Sequence, residues 1–137
     1  MNEILLNKKI SVERCIQQID AYYAVDNGLP FATDYLKQDA IAMNVQLACE
    51  LTIDVANYIV RTKKLGLPQD SRESFALLQQ AGLITIEQMK RLQGMVGFRN
   101  TLVHQYQKLN LQTLVEVIEH RVRELLDFAN AALSVAG

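Results

Sequence analysis

The feature that most constrains the fold is a long helical pattern that nothing interrupts. After Thr33-Asp34 the sequence runs to about Lys64 without a single Gly or Pro. At about 1.5 Å per residue, this stretch makes a helix of about 45 Å. Its apolar residues fall on several sides, as in a helix surrounded by neighbours, and are Ile41, Val45, Leu47, Ala48, Leu51, Val55 and Ile59. We therefore expect it to be the central helix of the fold.

Shorter helical patterns flank this segment on both sides. An amphipathic pattern starts at Ile4 and ends near Ala24, before the helix breakers of residues 27–30. Three further helices are predicted from their start signals: Asp70 with Glu73 for a short helix that stops at Ala81-Gly82, Thr85 with Gln88 for a fourth helix that frays near Gln107-Lys108, and Asn110 for the last helix. No β-alternation is present. The prediction is an all-α, antiparallel four-helix bundle with one short additional helix.

Length and charge narrow the class of protein. A chain of 137 residues, half of them hydrophobic, fits one domain that spans residues 1–137. Lys and Arg number 14 against 15 Asp and Glu, so any contact with nucleic acid must come from a local basic patch. Arg61-Thr62-Lys63-Lys64 and Arg121-Val122-Arg123 are the basic clusters, and both are typical of solvated helix ends.

Cysteine usage and hydropathy indicate the compartment. Cys15 and Cys49 lie in apolar helical patterns and not in disulfide or metal-ligand spacings, which favours buried, reduced thiols in the cytoplasm. No targeting segment or bilayer-length apolar stretch is present, so we expect no membrane association. The two histidines are far apart in sequence, and neither a metal site nor a cofactor is expected.

Arg99 stands out on the fourth helix. On a helical wheel it lies within about 60° of Leu92, Met95, Val96, Leu102, Val103 and Tyr106, in the middle of an apolar stripe. A buried guanidinium is costly unless it meets an anion or opens into a cleft. The alternatives are therefore a structural salt bridge and a functional anion-binding arginine.

Other polar and small residues surround Arg99 in the sequence. Asn100 neighbours His104 one turn later, whereas His104 itself lies about 140° from Arg99. His120 sits in a polar run of the last helix and is interpreted as structural. The opposite side of the fourth helix carries Gly94, Gly97 and Thr101, which favour a close helix contact, either within one bundle or across a two-fold axis. On the central helix, the like charges Glu50 and Asp54 are candidates to face Arg99.

The segment Gly97-Phe98-Arg99-Asn100-Thr101-Leu102-Val103-His104-Gln105-Tyr106 resembles the Arg-x4-His-x-Tyr motif of HEPN-domain ribonuclease toxins, the HepT-type members of HEPN–MNT toxin–antitoxin pairs. The resemblance covers the whole chain, since its length, the long second helix and the closing helix also match the family's HEPN-like fold.

This resemblance implies a metal-independent endoribonuclease toxin of a type VII-like system, acting as a homodimer with a composite cleft. Arg99 would bind the scissile phosphate, and His104 would act as general acid or base around the ribose 2′-hydroxyl. Asn100 would orient the histidine or the phosphate. A cognate minimal nucleotidyltransferase would serve as the antitoxin and adenylylate Tyr106, and the wheel predicts that residue about 20° from Arg99.

Two other functions compete with the nuclease. In the first, the chain is a non-catalytic nucleotide- or substrate-binding partner of a nucleotidyltransferase, in which Arg99 holds a phosphate and His104 performs no chemistry. In the second, the chain is a structural helical partner in which Arg99 forms an internal salt bridge with Asp54. Neither a Gly-rich phosphate loop nor a strand to hold one is evident, so the chain is not expected to be the nucleotidyltransferase itself.

Overall fold

The structure, a computed structural model, describes residues 2–136. The end positions of the predicted 1–137 domain, Met1 and Gly137, lie outside the described residues. The helices are α1 (Glu3–Ala24), α2 (Tyr35–Thr62), α3 (Ser71–Gln80), α4 (Ile86–His104), α5 (Leu111–Glu116) and α6 (Val122–Ala136). A π-helical turn, Val117–Arg121, joins α5 to α6, and short 3₁₀ turns lie at Phe31–Thr33 and Tyr106–Lys108. The predicted all-α bundle with a short additional helix, α3, is confirmed.

The central position predicted for the second helix is confirmed by its contacts. The helix α2 packs against α1, α3, α4 and α6. Residues such as Ile41, Val45, Ala48, Val55 and Ala56 on α2 are nearly or completely inaccessible and belong to one continuous apolar core. Within residues 2–136, no helix has the length and apolar composition needed to cross a membrane.

Local capping starts the helices where the sequence predicts it. At α4 the capping box is complete, because Gln88 N–H donates to Thr85 Oγ1 at 3.1 Å and Thr85 N–H donates to Gln88 Oε1 at 2.9 Å. The Asp70 carboxylate caps α3 by accepting the Glu73 N–H at 2.8 Å. Short side chains that bond nearby backbone N–H groups thus fix the helix starts independently of tertiary structure.

The helices α2 and α3 end in the same hydrogen-bonding motif, but a different type of residue occupies the left-handed position in each. After α3, Gly82 has φ +75°, and Leu83 N–H donates to the Leu78 carbonyl, which is a Schellman ending. After α2, Leu65 N–H donates to the Val60 carbonyl in the same pattern. There the left-handed position is held by Lys64, with φ +54°, where glycine is the usual residue.

Candidate functional site

Arg99 lies on α4, half-buried against α2. Its Nε is buried and has no hydrogen-bond partner among residues 2–136, and no ion pair between described residues includes it. It lies close to Cys49 of α2: burial raises the pKa of this thiol to about 12, and the positive charge of Arg99 opposes the rise. The guanidinium thus enters the bundle without a carboxylate partner, which is costly unless an external anion meets it.

Arg99 opens into a cleft between the start of α3 and α4, which we call the Arg99 cleft. It has a volume of about 260 Å³ and is lined by Asp70, Ser71, Arg72, Val96, Arg99 and Asn100. The structure therefore brings Arg99 and Asn100 together. The one carboxylate on this wall, Asp70, is engaged in capping α3.

His104 is the last residue of α4 and is exposed. Its side chain does not line the Arg99 cleft, in agreement with the 140° separation on the wheel. An exposed imidazole at a helix end is accessible to a substrate or to a second protein chain. Within one chain, however, the two candidate catalytic residues do not face the same cleft.

The placement of Tyr106 on the face of Arg99 is wrong. The helix α4 ends at His104, because Gln105 adopts a non-helical conformation (φ −141°, ψ 40°) and Tyr106 begins a 3₁₀ turn. The Tyr106 hydroxyl instead donates to the Asp39 carboxylate near the start of α2. Tyr106 and Asp39 line a separate cleft of about 290 Å³. Helix geometry therefore does not place a group added to Tyr106 beside Arg99 of the same chain. Val103, expected in the apolar stripe, is likewise 43% exposed.

The carboxylates proposed to face Arg99 have other partners. Asp54 forms an ion pair with Lys8 of α1 at 3.3 Å. Glu50 accepts a hydrogen bond from Gln46 at 3.1 Å on its own helix. The internal salt bridge between Arg99 and Asp54 is thus not formed, and that structural explanation for Arg99 is wrong.

The small residues of α4 line an open cleft instead of packing closely against another helix of the chain. Gly94, Gly97 and Thr101 line a cleft of about 510 Å³ between α4 and the last helical segments. A Cβ atom at Gly94 would meet nothing within 4 Å, so close packing inside the chain does not require this glycine. At Gly97 the same atom would lie 2.8 Å from Arg72 Nη2, so this glycine leaves room for the guanidinium of Arg72.

The two basic clusters differ in their surroundings. Arg121 pairs with Glu116 and Glu124, and Arg123 pairs with Asp20 at 2.9 Å, so the second cluster is a solvated, ion-paired face. Arg61 and Lys64 instead line a cleft of about 720 Å³ beside the 63–70 loop, which we call the α2–α3 cleft. Its other lining residues are Asn57, Val60, Gly66, Leu67, Pro68, Gln69, Asp70, Ser71 and Ser74.

Sequence reasoning missed two residues at these sites, Arg72 and Asp39. Arg72 lines the Arg99 cleft from α3, and Asp39 binds the Tyr106 hydroxyl from α2. Both act across elements that are distant in sequence, and neither lies in a motif. No local pattern singles them out, because their roles follow from how α3 and α2 pack against α4.

Comparison with known proteins adds a family to this geometry. Residues 12–132 match the family model described as ribonuclease HepT-like. The chain is 44% identical over 128 residues to a protein of Shewanella oneidensis named mRNA nuclease HepT, and the match covers 93% of this chain and 95% of that protein.

Solved structures agree with the sequence match. A tri-AMPylated HEPN toxin from Shewanella oneidensis in complex with its MNT antitoxin superposes with a TM-score of 0.90, at 42% identity, over 98% of this chain and 99% of that one. A toxin–antitoxin structure with AMP-PNP superposes with a TM-score of 0.89, at 42% identity, over 96% of this chain and 99% of that chain.

Proposed function

The chain belongs to the ribonuclease HepT-like family, and we propose that it cleaves RNA with Arg99 and His104 as its catalytic residues. It is an endoribonuclease toxin of the HEPN–MNT type. The match to nucleases favours this function over a non-catalytic nucleotide-binding partner. The observation that carries the assignment of the site is the Arg99 guanidinium, which opens into a polar cleft and whose Nε has no hydrogen-bond partner among residues 2–136.

Arg99 supplies the charge that this reaction needs. Attack of the ribose 2′-oxygen on the adjacent phosphorus forms a 2′,3′-cyclic phosphate and breaks the bond to the 5′-oxygen, with negative charge building on the phosphoryl oxygens. An arginine fixed in a partly buried cleft stabilises that charge more strongly than one in water. Asn100, on the same wall, is placed to orient the phosphate.

His104 supplies a proton transfer. Imidazole titrates near neutral pH, so it can take the 2′-hydroxyl proton or protonate the leaving 5′-oxygen. His104 does not line the Arg99 cleft of its own chain, which supports a site completed by a second chain: His104 of one protomer meets Arg99 of its partner in a homodimer. Asp54 and Glu50 remain candidates for a supporting role at this site only through the longer-range effect of their negative charges on α2.

The cognate antitoxin is a minimal nucleotidyltransferase that adenylylates Tyr106. Support comes from the 36% exposure of Tyr106 and from its position two residues after His104. A negatively charged adenylyl group there would lie on the chain segment that carries the catalytic imidazole. It would repel the RNA backbone without unfolding the protein.

The test is cleavage of RNA by the purified chain, with and without a chelator. Because the proposed acid–base step uses the imidazole of His104 and no metal ion, we expect the chelator to leave activity intact. Arg99→Ala and His104→Ala should each lower the cleavage rate by about 10²-fold or more while the helical circular dichroism is retained.

His120→Ala is the matched control, since His120 is an exposed imidazole in the π-helical turn of the same chain. It should cleave like the unsubstituted protein. Cleavage by His104→Ala at the rate of this control would refute the assignment, and a strict need for divalent metal would contradict acid–base chemistry by His104.

A further inference from the structure

The α2–α3 cleft and the Arg99 cleft adjoin each other. Asp70 and Ser71, at the start of α3, line both of them. A path therefore leads from Arg99 past the first turn of α3 to the end of α2, where Arg61 and Lys64 lie. A ligand held at Arg99 can extend along this path.

The two adjoining clefts concentrate positive charge. Their walls hold four cationic side chains, Arg61, Lys64, Arg72 and Arg99, against the single carboxylate of Asp70. None of the four forms an ion pair with another residue of 2–136. The whole chain carries a formal net charge of −1, so this is a local excess that favours a polyanion.

Lys64 occupies a backbone position at which a lysine is unfavourable. The equivalent position after α3 is Gly82, which adopts the left-handed conformation without a steric cost. Lys64 adopts it with a Cβ atom and a long side chain, although the hydrogen bonds of the two helix ends are alike. Strain of this kind is typical of positions at which the side chain has a function.

The size and lining of the α2–α3 cleft fit one strand rather than a duplex. Its volume of about 720 Å³ lies within the range of small-ligand sites, about 300–1,000 Å³. Besides the two cations, its wall presents Leu67, which is 93% exposed, and the side chain of Asn57. Apolar and amide groups next to cations suit unstacked bases joined by phosphates.

We propose that the α2–α3 cleft binds single-stranded RNA next to the scissile phosphate, with Lys64 and Arg61 on the flanking phosphates. This rests on the proposed function, because Arg99 marks where the cut is made. The substrate is then an RNA that extends beyond the bond to be cleaved, and the flanking contacts contribute to its affinity rather than to the chemical step.

The binding experiment uses the His104→Ala chain, which keeps the RNA intact, and a fluorescently labelled single-stranded RNA. Lys64→Gly removes the ammonium group and suits the local backbone, so its melting temperature should be unchanged or higher. Its affinity for RNA should fall about tenfold. The slope of log affinity against log salt should become shallower by about 0.7, the value for one phosphate contact on a single strand.

Two variants control this result. Lys63→Gln removes the same charge from the adjacent residue, which is exposed and lines neither cleft; it should bind RNA like its parent. Arg61→Gln tests the second cation without altering the turn, and it should weaken binding as Lys64→Gly does. Equal affinities for Lys64→Gly and Lys63→Gln would overturn the proposal.

Cleavage by the chain with His104 intact separates this proposal from the proposed function. On a long single-stranded RNA, Lys64→Gly should raise KM and leave kcat nearly unchanged. On an RNA dinucleotide, which has no phosphate besides the scissile one, it should match the unsubstituted chain. An equal loss on both substrates would overturn the proposal, as would weaker binding of the cognate nucleotidyltransferase with RNA binding unchanged. Absence of cleavage by the unsubstituted chain would instead refute the proposed function.

Discussion

At Tyr106, the surroundings of the phenol bear on whether it can act as a nucleophile. Burial and the neighbouring Asp39 carboxylate raise the pKa of Tyr106 above its usual value, which already keeps a phenol protonated at neutral pH. To attack the α-phosphate of ATP and displace pyrophosphate, it must lose this proton. Asp39 already accepts the hydrogen bond from the hydroxyl and is placed to receive it.

Asp39→Asn should therefore slow adenylylation of the chain, because a carboxamide is a far weaker base than a carboxylate. Tyr106→Phe should take up no adenylyl group at this position and should resist silencing. The measurement is intact mass after incubation with the cognate nucleotidyltransferase and ATP. Tyr35→Phe, which removes the hydroxyl of a tyrosine that is 67% exposed at the start of α2, should be modified like the unsubstituted chain. Full silencing of Tyr106→Phe, with no adenylylation anywhere, would show that the antitoxin acts by binding alone.

Among the helices, the starts were predictable and the end of α4 was not. Thr85 and Gln88 are local signals, since their hydrogen bonds join groups three residues apart. No Gly or Pro lies between His104 and Asn110, so the sequence predicted that α4 continues to about Lys108. The structure ends it at His104, and Tyr106 bonds Asp39, which lies 67 positions earlier. A tertiary contact of this kind leaves no periodic trace in the sequence.

The sequence could not predict which residue faces Arg99, for a related reason. Periodicity correctly predicted an arginine on a buried stripe, whose members Leu92, Val96 and Leu102 are buried. Which carboxylate faces it depends on the rotation of α2 against α4. That rotation pairs Asp54 with Lys8 and leaves Arg99 open to a cleft.

The helix α4 also offers a test of its open face. An added Cβ atom at Gly94 or at Gly82 would have free space within 4 Å, but of these two only Gly82 has a positive φ, of +75°. Gly94→Ala should therefore raise the free energy of unfolding by about 0.5–1 kcal/mol, and Gly82→Ala should lower it by about 1–2 kcal/mol. Chemical denaturation measures both.

The same Gly94 variant tests the dimer contact. If α4 faces its copy across the two-fold axis, the added methyl group of Gly94→Ala weakens self-association, which sedimentation velocity measures. Gly82→Ala lies outside this face and should dimerise normally. A Gly94→Ala dimer as tight as the unsubstituted one would place the interface elsewhere.

At the scale of the whole molecule, ion-paired cations and cations without an acidic partner lie on different surfaces of the described chain. The cations near α6, Arg121 and Arg123, are paired with acids, whereas Arg61 and Lys64 form no ion pair within the described residues 2–136. Composition indicated that any contact with nucleic acid must come from a local basic patch. It could not locate the patch, because the α2–α3 cleft joins the Arg99 cleft only through the packing of α3.

The arrangement of a dimer decides whether one chain holds a complete site. If each site takes Arg99 from one protomer and His104 from its partner, then a mixed dimer of Arg99→Ala and His104→Ala chains contains one site with both groups and one with neither. Random exchange of equal amounts makes half of the dimers mixed, so about a quarter of the unsubstituted activity should return. If both groups act within one chain, every site keeps a lesion and no activity returns. RNA cleavage after co-refolding of the two inactive chains measures the difference, with each variant refolded alone as the control. Full activity from a chain that sediments as a monomer would contradict the composite site directly.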